Sequence, residues 1–90
     1  MDHRWQLTAD ECMVIRGRGL VVVGRIEGQA NMGDRAVLTT PDGQVRHVSV
    51  LGIDHSHAKR QGGAEANIGI LVNVTDMKYV PRGAVLRSAM

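Results

Sequence analysis

Apolar residues in this chain come in short runs separated by polar or glycine-containing stretches, with no sustained helical spacing. Residues 12–15, 20–26, 35–39, 45–53, 67–74 and 84–87 are rich in Val, Ile, Leu and Ala, and they are separated by stretches that contain Gly, Pro, Asp or Asn. Such runs predict strands. The run 20–26 is almost entirely aliphatic and predicts a strand buried on both faces, with Gly24 marking a bulge or a close approach of another backbone. In 35–39, Ala36 and Leu38 share one face. Thr40-Pro41-Asp42-Gly43 puts Pro at the second turn position, where its fixed φ is useful, and Gly after Asp, where a left-handed residue is tolerated. That tetrapeptide predicts a hairpin whose second arm turns Val48 and Val50 to the core. Residues 1–9 read as an N-terminal segment ahead of the first strand, 54–65 as the longest polar loop, and 75–80 as a short helical turn ended by Pro81. Six or seven short strands in one domain spanning 1–90 predict an all-β fold, a small closed antiparallel barrel that leaves no sheet edge exposed.

Composition narrows the chemistry. A chain of 90 residues has room for one domain and no separate lid. The balance of 11 Lys and Arg against 9 Asp and Glu leaves +2, a mild bias that is not a nucleic-acid signature. Trp5 and Tyr79 are the only aromatic residues, so stacking on nucleobases has few partners to draw on. Cys12 is the only cysteine, which rules out an internal disulfide and fits a reducing compartment. In its apolar run it reads as a buried, inert thiol. No apolar stretch approaches membrane-spanning length, and no signal-peptide core follows the first residues, so the expected setting is cytoplasmic, without a membrane partner.

The order of the pieces carries a resemblance. Gly17-Arg18-Gly19-Leu20-Val21-Val22-Val23-Gly24-Arg25-Ile26-Glu27 is followed by Met32-Gly33-Asp34, then by Val50-Leu51-Gly52-Ile53, Asn67-Ile68-Gly69-Ile70-Leu71 and Arg82-Gly83-Ala84-Val85-Leu86. In this order the blocks resemble the second domain of translational GTPases, above all that of elongation factor Tu, over residues 11–87. The resemblance implies a small antiparallel β-barrel that acts as an adaptor beside a GTPase domain. It also implies a contact with the aminoacylated end of tRNA through the positions matched by Asp10, Glu11, Met13 and Arg18. The chain departs from the family pattern at several of these places. Met13 stands where an aromatic residue is expected, Leu20 and Val23 replace threonines, Ala66 replaces an acid, and Asp54-His55-Ser56-His57-Ala58 replaces an apolar and basic loop. Gly17-Arg18-Gly19 is not a phosphate loop, because it lacks the Gly-Lys-Ser/Thr ending and leads into a strand, so no GTP site is expected.

Two weaker constellations complete the reading. His55 and His57 are two apart and would share a side of an extended segment, with His47 as a third nitrogen and Asp54 as an oxygen ligand; the plainer reading is surface histidines. No Ser, His and Asp arrangement suggests a triad, so neither catalysis nor a cofactor is expected. The expected function is a free-standing binding module that finds a protein or RNA partner in trans or pairs with itself.

Overall fold

The structure, a computed structural model, describes residues 4–54, 67–75 and 80–89. Among them the chain forms six strands and no helix: β1 (Trp5–Ile15), β2 (Gly19–Gly28), β3 (Arg35–Thr39), β4 (Val45–Asp54), β5 (Asn67–Val72) and β6 (Val85–Ser88). All neighbours pair antiparallel, and the order β1-β2-β5-β4-β3-β6 closes on itself as a barrel. The all-β, closed-barrel expectation therefore holds.

The Thr40-Pro41-Asp42-Gly43 hairpin forms between β3 and β4 as its residue types predict. Gly43 has a φ of 93°, the left-handed conformation that glycine adopts without penalty. Its N–H donates to the Thr40 carbonyl at 2.9 Å, and the Thr40 hydroxyl donates to the Asp42 carboxylate. That hydroxyl, followed by backbone N–H groups, holds the Asp42 carboxyl below its ordinary range.

The first strand begins at Trp5 and not at Cys12, so part of the segment read as preceding the barrel is barrel wall. The cause is a two-residue alternation: Trp5, Leu7 and Ala9 are buried, while Gln6 and Thr8 between them are not. Smaller differences occur at other ends. β4 runs one residue further, to Asp54; β5 stops at Val72; and the last strand is shifted to Val85–Ser88. The helical turn expected over 75–80 and nearly all of the loop expected over 54–65 lie outside the described residues.

The interior is aliphatic, with one indole. Leu7, Leu20, Val22, Leu38, Ile70, Val72 and Leu86 have no measurable exposure, and Ala36, Val48 and Val50 are buried beside them as their alternation predicts. Each fully buried Leu or Ile contributes about 1.5–3 kcal/mol relative to exposure. Trp5 fits because its Nε1–H donates to Asp34 Oδ2 at 2.9 Å, and the same oxygen accepts from the Asn31 N–H at 2.9 Å. Cys12 is half-buried against the core, its Sγ accepting from the Val80 N–H at 3.1 Å.

Two irregularities shape the wall. In β1 the register with β2 shifts between Ala9 and Glu11, which makes Asp10 the extra residue of a bulge. In β4 the register with β5 shifts between Val50 and Gly52, which leaves Leu51 as the extra residue, 44% exposed. The first bulge lets β1 pair with β6 over Gln6, Leu7 and Thr8 and then run on beside β2 alone.

Candidate functional site

Strand register assembles a surface that no single segment contains. On the outer wall, Met13 lies opposite Val21, Val21 opposite Leu71, and Leu71 opposite Gly52. The neighbouring row reads Glu11, Val23, Gly69 and Asp54. One row is thus apolar; the other has a carboxylate at each end, three strand spacings or about 14 Å apart.

Glycines leave the middle of these rows open. Gly52 and Gly69 contribute no side chain, and between them the wall sinks into a groove of about 250 Å³ lined by Ile15, Arg18, Val21, Gly52, Ile53, Asp54, Gly69 and Leu71. A Cβ at Gly52 would have nothing closer than Leu71, at 3.9 Å, so the space there is real. A Cβ at Gly69 would come within 3.0 Å of Val21 Cγ1 and 3.6 Å of Val23 Cγ2, so the outward valines of β2 crowd that position from the side. Val23 faces outward yet is only 4% exposed, whereas Met13 keeps 46% of its surface in solvent. A depression of about 220 Å³ adjoins the end of the β1–β2 hairpin, lined by Val14, Ile15, Arg16, Gly17, Gly19, Val74 and Thr75.

Arg18 reaches the groove because the β1–β2 turn is tight. Its N–H donates to the Ile15 carbonyl at 2.9 Å, and Gly17 and Gly19 on either side take φ values of 78° and 150°. Arg18 and Asp54 both line the groove, so the trough is mainly apolar with one basic and one acidic residue in its lining.

No family model matches the chain.

Of the four residues proposed for RNA contact, Glu11, Met13 and Arg18 fall on or beside this one surface. Asp10 does not line the groove; as the bulge residue it lies with Oδ1 3.8 Å from Arg82 Nε, an exposed pair of little energetic weight. The groove residues that sequence reasoning passed over as site candidates are Val21, Gly52, Gly69 and Leu71, while Asp54, read there as an oxygen ligand, is the last residue of β4. Their apolar and glycine character was visible; their adjacency was not, because it depends on β2, β5 and β4 pairing out of chain order.

His47 is exposed on β4 opposite Val37. Among the described residues no group of three His, Cys, Asp or Glu is placed to hold a metal, and His55 and His57 lie outside them. No described helix is long and apolar enough to cross a membrane.

Proposed function

We propose that this chain is a non-enzymatic β-barrel binding module, a protein-interaction adaptor whose recognition surface is the groove between β2, β5 and β4. The observation that carries this reading is the groove itself: an apolar trough with glycine gaps, one basic and one acidic residue in its lining and half-exposed Met13 beside it. A cavity of about 250 Å³ is below the range of ordinary small-molecule sites and suits one inserted side chain of a partner segment. Exposed Met and Leu on a polar surface are typical of protein contacts. The sequence resemblance to the second domain of translational GTPases supports an adaptor role linked to translation.

A second reading, binding of an RNA end, is favoured by Arg18 on the groove rim. A guanidinium there suits a phosphate, and the Glu11 and Asp54 carboxylates can accept hydrogen bonds from a ribose or a base edge. The two readings separate in a capture experiment from native lysate, with and without nuclease, using the wild-type chain, Leu71→Glu and Arg18→Ala. The adaptor reading expects nuclease-resistant capture that Leu71→Glu reduces at least tenfold. The RNA reading expects nuclease-sensitive capture that weakens steeply with salt, with Arg18→Ala lowering the salt slope by about one. Capture that Leu71→Glu and Arg18→Ala both leave unchanged sinks the groove as the recognition surface.

A further inference from the structure

Around the barrel from the groove, the outer face of β3, β4 and β6 carries a second cluster. Arg87 on β6 and His47 on β4 both pair with Val37 of β3, so they flank it on either side. Arg35 lies two residues before Val37 on the same strand and therefore on the same face. It is the diagonal neighbour of both Arg87 and His47, about 7–8 Å away from each at the backbone and within reach of long side chains. Three nitrogen-bearing side chains thus surround one valine. Beside them the wall is hollowed into a depression of about 470 Å³ lined by Arg35, Ala36, His47, Val48, Ser49 and Ala89.

Among the described residues the strands of this face carry no neutralising partner. The outward positions of β3, of β6 and of the first half of β4 are Arg35, Val37, Thr39, Val85, Arg87, Val45, His47 and Ser49, without a carboxylate among them. Asp34, next to Arg35 in sequence, has its Oδ2 committed to the Trp5 indole and the Asn31 N–H. Among the described residues neither Arg35 nor Arg87 forms an ion pair, and Arg87 Nε is buried without a hydrogen-bond partner. A buried donor left unsatisfied destabilises the fold. Like charges held as diagonal neighbours add repulsion, which an anion seated between them would remove.

We infer that Arg35, Arg87 and His47, set around Val37 by strand register, form a binding site for a phosphate group. A planar carboxylate is matched by a single guanidinium fork, whereas donors approaching from three sides suit the tetrahedral oxygens of a phosphate. His47 offers a ring N–H in either protonation state, and the Ser49 hydroxyl lies on the rim as a further donor. The site is independent of the groove, so it stands or falls without reference to the adaptor reading.

The test is an NMR titration of the full chain at constant ionic strength, adding inorganic phosphate in exchange for chloride and following the Arg87 Nε–H and His47 ring resonances. Saturable movement of these signals, with affinity falling at least tenfold in Arg35→Gln/Arg87→Gln and unchanged in Arg82→Gln, is the expected result. Trp5 fluorescence reports that each variant keeps its fold. A short single-stranded RNA without terminal phosphates is titrated in parallel. If it moves the same signals, the phosphate belongs to an RNA backbone; if only inorganic phosphate does, it belongs to a small phosphorylated ligand. The inference is overturned if neither probe gives a saturable shift, or if the double variant binds as the wild type does.

Discussion

At the scale of single residues, glycines divide into those that the fold requires and those that open the groove. Gly24 faces β1 so closely that a Cβ there would overlap the Thr8 carbonyl oxygen and press on the Ala9 Cα, both of them backbone atoms that cannot turn aside. Gly52 has open space above it and an ordinary φ. The same substitution should therefore give opposite outcomes at the two sites. Gly24→Ala is expected to cost about 3 kcal/mol or more, as an overpacked site against the fixed backbone of β1. Gly52→Ala should leave stability within about 0.5 kcal/mol while narrowing the groove. Urea unfolding of both variants checks this, and equal losses would mean that the open groove floor is misplaced. A close approach at Gly24 was legible in the sequence because glycine interrupts an aliphatic run there. At Gly52 and Gly69 the glycines were equally visible, but whether a missing side chain marks a bend or a recess depends on what faces it across the sheet.

At the scale of strands, periodicity gave most of the elements and missed the first half of β1. Trp5, Leu7 and Ala9 alternate cleanly with Gln6 and Thr8, but Asp10-Glu11 interrupts the alternation, so the segment looks detached from the apolar run after it. The bulge at Asp10 is what reconnects them. An extra residue absorbs the phase change, so that Leu7 before it and Cys12 after it both turn inward. The chain also clamps this point, with the Ala9 N–H donating to the Ala84 carbonyl at 2.8 Å and the Gly83 N–H to the Ala9 carbonyl at 2.9 Å. Deleting Asp10 removes the bulge but leaves Ala9, Glu11 and Cys12 opposite Gly24, Val23 and Val22, so both halves of β1 keep their faces. The expected outcome is retention of cooperative unfolding and of the buried-indole fluorescence of Trp5. Loss of both would show that the bend made by the extra residue is needed to close the barrel. Asp10→Gly keeps the residue count and should also fold, which separates the effect of the bulge from that of the carboxylate.

At the scale of the whole molecule, closure is the decisive event. β6 is only four residues long, yet it joins β1 to β3 and so completes the ring. Its Leu86 is fully buried between them, and Leu86→Ala should cost about 2–5 kcal/mol. That is a large fraction of the roughly 5–15 kcal/mol of a typical domain, so the urea midpoint should fall sharply with the slope unchanged. A loss below about 1 kcal/mol would indicate that the seam carries little of the stability. The sequence by itself determined the all-β class, the β3–β4 hairpin and the aliphatic interior, because turn residues and two-residue alternation act over a few neighbouring positions. It also supplied Glu11, Met13 and Arg18 as site candidates through a resemblance in block order. Only the tertiary structure decided which outward faces meet. Long-range pairing of β2 with β5, β5 with β4 and β3 with β6 sets Leu71 beside Gly52, and Arg87 and His47 on either side of Val37. Register between distant strands is fixed by the joint packing of the core and not by any local signal, so a surface built across strands can be read only once the barrel has closed.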